Sequence, residues 1–274
     1  MLQKLGLTAC HATSSGPVSL DGVLPSAIFD LDATLAGSYP GTGQVWTNLV
    51  AVPADGSSAA SNNFHLGVDA SADATDPAFS GSAGSPAAYF SFDGGDYFYQ
   101  QAISTYISNG HRTDISNPLT FAIAFNTGST AFQYIMGIGV TSGGQGYGIR
   151  ISSSQLQVFG RGDSANISYN ISAGAVVSAA TDYLLIVSMN VNAGTGKYWL
   201  NNRAGVSFTP LNTTPLTSPT DTNALCIGAG IARANPMPSG TKIYHASAFN
   251  AVLNDASAGL VFDHLNARHG RTYA

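Results

Sequence analysis

The run at residues 183–189 is almost wholly apolar, and polar, Gly-punctuated residues 190–196 separate it from a second strand-like stretch at 197–202. The first run is too short for an ordinary helix and rich in aliphatic and β-branched side chains, so it reads as a strand buried on both faces. The Asn and Gly residues that follow are turn formers and predict a hairpin. Residues 119–125 alternate, putting Leu119, Phe121, Ile123 and Phe125 on one face and Thr120, Ala122 and Ala124 on the other. Strand-like stretches at 134–140, 146–151, 155–159 and 167–171 then follow at the short, even spacing of a β meander. Upstream, 27–32, 45–50 and 87–92 are strand-like, with Ile28 opposite in phase to Phe29 and Leu31, and Trp46 directed to the core; a tight turn at 93–96 leads into 97–99. Residues 224–228 and 242–249 complete the set, while 103–112 fits either a short strand or a helical turn.

One helix is predicted, near the C-terminus. Asn254 or Asp255 can cap its free N–H groups; Leu260, Val261, His264, Leu265 and Arg268 recur at helical spacing; Gly270 suits a left-handed C-terminal cap. It is expected to lie on the sandwich as a clip. Residues 1–25 carry too few apolar side chains for a core and are read as an N-terminal arm that gains order against a partner. Residues 26–274 form one domain, with an excursion at about 53–86 of Ala, Ser, Gly, Asp and Asn anchored by Phe64, Leu66 and Phe79.

Composition supports strands over helices. Charged residues make up only 9% of the 274 residues, all 15 acidic residues are Asp, and Lys occurs only at positions 4, 197 and 242. A net charge of −5 without a basic run gives no footprint for nucleic acid. Cys10 and Cys226 form neither a disulfide framework nor a metal pattern. Residues 7–10 look like a lipoprotein cleavage box, but the apolar stretch before them is shorter than the roughly 7 to 15 residues a signal peptide needs. No signal peptide and no membrane span is expected.

The ordered set of alternating strand, glycine-rich meander, hairpin at 198–202, strands at 225–230 and 243–249, a Leu253-Asn-Asp255 turn and a last helix resembles the laminin-G and concanavalin A-like jelly-roll superfamily over about residues 119–270. The resemblance implies an all-β fold, a two-sheet antiparallel jelly-roll sandwich with a short C-terminal helix. The low charge, the missing Glu and the leader further resemble laminin-G-like virion proteins of tailed bacteriophages. What that implies is a virion structural protein, a capsid decoration or a tail- or fibre-associated protein. It would be made in the host cytoplasm, dock by its N-terminal arm onto other virion proteins, and form a homo-oligomer or symmetric multicopy assembly. The alternative is a carbohydrate-binding module for host-surface glycan, with Tyr97, Tyr99 and Tyr106 stacking on sugars.

No enzyme is expected. Jelly-roll glycosidases carry paired carboxylates, normally Glu, roughly 5 to 5.5 Å apart in retaining enzymes. Here Asp30 and Asp32 share a face, and they read as an exposed strand edge in contact with water. Calcium is the ion the resemblance implies, with Asp93 and Asp96 as candidate ligands and Asp69, Asp73 and Asp76 nearby; capping of turns by these side chains is the competing role. The six His are scattered, with His245 on a strand and His264 on the last helix, and none stands at metal-ligand spacing.

Overall fold

The computed structural model describes residues 19–139, 145–161, 167–209, 216–220, 224–230 and 233–273, with the backbone alone for 167–174. In chain order the strands are β1 (Ala27–Asp32), β2 (Val45–Trp46), β3 (Phe64–Leu66), β4 (Ala78–Ser80), β5 (Tyr89–Ser91), β6 (Phe98–Gln100), β7 (Leu119–Asn126), β8 (Gln133–Ile138), β9 (Gly146–Ser152), β10 (Gln155–Arg161), β11 (Ile167–Val176), β12 (Asp182–Asn190), β13 (Thr195–Leu200), β14 (Val206–Phe208), β15 (Leu225–Ile227) and β16 (Lys242–Phe249). A short helix, α1 (Thr105–Ser108), follows β6, and α2 (Asp255–His269) follows β16.

The strands form two antiparallel eight-stranded sheets. The first runs β14-β13-β12-β7-β16-β5-β4, with β1 also paired to β16; the second runs β11-β10-β9-β8-β15-β6-β3-β2. The hairpin expected at 183–202 is β12–β13, and its outward strand lies against β7 in the interior of the first sheet. The β9–β10 turn places Ser153 and Ser154 at φ 51° and 66°, the left-handed geometry that matches the twist of a tight hairpin. The excursion supplies structure as well as loop, because β3 joins the second sheet and β4 the first. Residues 103–112, open in the sequence, contain α1, capped by the Ser104 side chain.

Apolar side chains of both sheets meet in one core, which includes Trp46, Phe90, Phe98, Phe125, Ile149 and Val187. A second core lies on the far side of the first sheet, where α2 seats Val261, Phe262 and Leu265 against Leu184, Ile186, Trp199 and Phe249. Ala122 and Ala124, the small-residue face of β7, are therefore the seat of the helix. The small methyl side chains let the helix approach closely. Burying those three helix side chains contributes about 5–9 kcal/mol as an upper figure.

The caps of α2 form as expected: the Asn254 side chain accepts from the Ser257 N–H at 2.9 Å, and Gly270 takes φ 58°. Its inward stripe is Ala258, Val261, Phe262, Leu265 and His269, whereas Leu260, expected inside, is 46% exposed. In β1 a register shift between Ala27 and Phe29 brings Ile28 into the same core as Phe29 and Leu31, correcting the simple alternation. Of the segment expected as an arm, residues 1–18 lie outside the described residues. Leu20 and Leu24 are buried in the second core, so this part of the segment belongs to the domain.

Candidate binding face

Asp30 and Asp32 are not an exposed edge. Both are fully buried, at the junction of β1, β16 and α2. The reason is the three-layer build: the outer face of the first sheet, where these side chains point, is roofed by α2. Asp30 accepts from the Leu20 N–H at 2.9 Å and lies 2.8 Å from His245 Nε2. Asp32 accepts from the Thr34 N–H and hydroxyl at 2.7 and 2.5 Å, and from Arg268 at 2.7 Å, with His269 Nε2 at 3.1 Å. The Tyr273 hydroxyl and His269 Nδ1 lie 2.8 Å apart, which fits a neutral imidazole that donates to Asp32 and accepts from the phenol. A register shift in β16 between Ile243 and His245 turns His245 toward this cluster. Burial opposes ionisation of the two carboxylates, but the imidazole hydrogen bonds and the Arg268 charge overcome it and hold both below the usual carboxylate range. The imidazole of His269 is held below its ordinary pKa by burial. These groups are sealed from solvent and fasten α2 to the sheet.

The outer face of the second sheet is built differently. None of its eight strands contains an Asp, and the chain has no Glu. Across its middle, one row of paired positions reads His65, Tyr99, Cys226, Gly137, Gly148 and Phe159. A Cβ on Gly148 would stand 2.6 Å from the Met136 carbonyl and 3.0 Å from the Phe159 ring, so the ring lies over bare backbone. Beside it, Tyr134 packs 5.5 Å from Phe159 and 5.4 Å from Phe132, between ring centroids. The Arg150 guanidinium lies over both Phe132 and Phe159, at 5.2 and 4.9 Å from their centroids, and its Nε donates to Gln157 at 2.9 Å. Phe132 is 45% exposed, the highest value on this aromatic strip.

Next to Tyr134 the chain turns through Gly230 and Arg233, with Asn235 O accepting from the Tyr134 N–H at 3.1 Å. Arg233 has φ 60°, a left-handed conformation that costs a non-glycine residue about 1 kcal/mol or more. Its guanidinium lies 5.3 Å over the Tyr99 ring.

The structure separates the three tyrosines singled out from the sequence. Tyr97 and Tyr99 share this face, but Tyr97 is only 6% exposed and Tyr99 lies under Arg233. Tyr106 belongs to α1, and its hydroxyl bonds the Pro118 carbonyl at 2.6 Å. The aspartates of the calcium reading cap turns. Asp93 accepts from Gly95 N–H at 3.0 Å and Asp96 from Asp93 N–H at 2.6 Å, while Asp69, Asp73 and Asp76 take the N–H groups of Ser71, Thr75 and Asp73. Burial, and then the neighbouring carboxylates of Asp93 and Asp76, push the Asp96 carboxyl up to about 7. Among the described residues no three His, Cys, Asp or Glu side chains are arranged to hold a metal, and Asp76 keeps one buried oxygen without a partner.

Sequence reasoning passed over Phe132, Tyr134, Arg150, Phe159 and Arg233. One signal was available: Arg150 interrupts an otherwise apolar strand between Ile149 and Ile151, which places it on the face opposite the core. A further concavity of about 230 Å³ opens between edge strands β14 and β11, lined by Val176, Tyr198, Leu200 and Val206 among others.

No family model matches the sequence, and no curated protein is similar to it. Solved structures are similar in fold. Trypanosoma rangeli sialidase in complex with sialic acid aligns at TM-score 0.56 and 11% identity, covering 89% of this chain and 33% of the sialidase. The binding domain of botulinum neurotoxin serotype D aligns at TM-score 0.55 and 10% identity over 87% of this chain and 51% of that one. The receptor binding domain of the botulinum neurotoxin C/D mosaic serotype gives TM-score 0.55 and 10% identity, over 88% and 51%. The chain thus spans about a third of the sialidase and half of the toxin domains. At these identities the likeness establishes the all-β sandwich and nothing finer.

Proposed function

We propose that this chain is a non-catalytic, lectin-like binding module whose outer second-sheet face takes a glycan. The observation that carries the reading is the asymmetry of the sandwich. The first sheet's outer face is covered by α2, whereas the second sheet presents the rings of Phe132 and Tyr134 with arginine donors beside them. Sugar rings stack on aromatic faces through their C–H groups while their hydroxyls take fixed polar partners. The sialidase and the toxin receptor binding domains are sandwiches of the same kind, which supports the reading by analogy of fold alone.

The setting we propose for the module is a bacteriophage virion. It would be displayed in several copies on the head, tail or fibre and docked through its N-terminal segment. The support is compositional: the chain has no Glu and only 9% charged residues.

A glycan array probed with the full chain tests the binding reading, followed by titration of any hit against Phe132→Ala and Tyr134→Ala. The loss of one stacking ring is expected to weaken binding about 5- to 10-fold, from roughly 1–1.5 kcal/mol per ring. Hits that bind both variants as tightly as the parent chain would place the glycan elsewhere. Addition of the chain to virus-like particles tests the setting, with saturable binding expected.

A further inference from the structure

The arginines are divided by their partners. Arg112, Lys197, Arg203 and Arg271 each pair with an aspartate at 2.5–3.1 Å, and Arg268 with Asp32 at 2.7 Å. Arg150 and Arg233 have no carboxylate partner among the described residues. Both stand at the aromatic strip.

Arg150 is the more telling of the two. It is 8% exposed, yet its only hydrogen bond to a described residue is the one from Nε to Gln157, so the two terminal amino groups are unmatched. Those amino groups keep some contact with solvent, yet a cation this far withdrawn from water is ordinarily paired with a carboxylate or replaced by an apolar residue. Here the guanidinium lies over the Phe132 and Phe159 rings and is oriented by the bond from Nε to Gln157. That is the preorganised, planar fork that matches an oxyanion in two-point fashion. Arg233, exposed and held over Tyr99 in a left-handed backbone conformation, adds a second cation near Tyr134.

We infer that the ligand of this face is an acidic saccharide, whose carboxylate or sulfate ester docks on the terminal nitrogens of Arg150 while a sugar ring stacks on Phe132 or Tyr134. The inference rests on the glycan-binding reading and narrows it to anionic sugars. Arg150 is the anchor, and Arg233 supplies longer-range attraction.

The test is an array of neutral, carboxylated and sulfated glycans, followed by calorimetric titration with oligogalacturonate, dextran sulfate and unmodified dextran. Proteins compared are the full chain, Arg150→Gln, Arg233→Ala and, as a control on the far face, Arg203→Gln. Acidic glycans are expected to bind, weakening as salt rises. Arg150→Gln should lose about 10- to 100-fold in affinity, Arg233→Ala a smaller factor, and Arg203→Gln none. Because Arg233 is exposed, its variant reports on the face even where Arg150→Gln fails to fold. A preference for carboxylated over sulfated probes, or the reverse, identifies the oxyanion. Binding confined to neutral glycans, or acidic binding unchanged in both Arg150→Gln and Arg233→Ala, overturns the inference and leaves the glycan module standing. No binding by any class overturns both.

Discussion

His111 makes the pH dependence of stability open to direct calculation. It follows α1, is fully buried, stacks on Tyr147 at 5.3 Å between centroids, and neither ring nitrogen has a hydrogen-bond partner among the described residues. Burial, with the adjacent Arg112 charge, pushes the imidazole down to about 4 from 6.5. A histidine that resists protonation in the fold but accepts it when unfolded costs nothing above its unfolded pKa and destabilises progressively as pH falls toward its folded value. With those two values the cost is about 0.2 kcal/mol at pH 7 and about 2 kcal/mol at pH 5. Asp30 and Asp32 lie outside this window, since a carboxylate with a depressed folded pKa withdraws its contribution only below about pH 4. The perturbation is His111→Leu, similar in volume and unable to titrate. Thermal unfolding of both proteins at pH 7 and pH 5 is the assay, and the parent should lose about 4–8 °C more than the variant between the two. Parallel shifts would refute the reasoning, because they would mean that His111 charges in the folded state.

Further outcomes follow from the same geometry. Asp32→Ala removes the carboxylate that Arg268 and the buried His269 share and is expected to cost about 3–5 kcal/mol, read from the urea midpoint at unchanged slope. Asp96 behaves with the opposite sign to the buried pair: its raised folded pKa means that stability is lost as pH rises from about 4 toward 7, so Asp96→Asn should stabilise at pH 7 by about 1–2 kcal/mol and be neutral at pH 4. Calcium is expected to shift the melting temperature of neither protein. The Cys226 thiol, 4% exposed and pushed up to about 12 by burial, should react with a disulfide reagent only as fast as the fold opens. Extending an N-terminal truncation from residue 18 to residue 25 removes Leu20 and Leu24 from the second core and is expected to lower stability by about 3–5 kcal/mol, measured by denaturant unfolding.

The fold was legible because its signals are local. Alternation at 119–125, the unbroken run at 183–189 and the cap residues Asn254 and Gly270 each specify an element without reference to the rest of the chain. The misreadings arise where a residue's surroundings come from distant sequence. Asp30 and Asp32 read as solvent-facing because alternation gives a face but not what covers it, and the cover is a helix more than 220 positions away in the chain. Leu260 was placed inward on spacing alone, while the seat offered by Ala122 and Ala124 selects the stripe through Val261 and Leu265. The three tyrosines were chosen by residue type, and only the strand order separates Tyr106 from the other two. The Arg150 stack depends on β8, β9 and β10 lying side by side, which the even spacing of the meander foreshadows without fixing which residues meet.

The two sheets handle buried charge in contrary ways, and that contrast bears on what each outer face is for. On the first, Asp30, Asp32, Arg268, His245 and His269 form a closed set in which every carboxylate oxygen has a partner within 3.1 Å. Its work is mechanical, since it joins β1, β16 and α2, and no carboxylate oxygen is left for a ligand; the one buried ring nitrogen without a partner among the described residues is His245 Nδ1. On the second, Arg150 is nearly as withdrawn from solvent but keeps two donors unmatched. Its stacking on two rings contributes roughly 1–2 kcal/mol, which a Met or Leu of similar bulk would largely replace through packing without the desolvation cost of a charge. Stability alone therefore gives no reason for a cation at this position. An oxyanion arriving from outside does, because it completes the pairing that the other described arginines, Arg233 and Arg161 apart, already have within the chain.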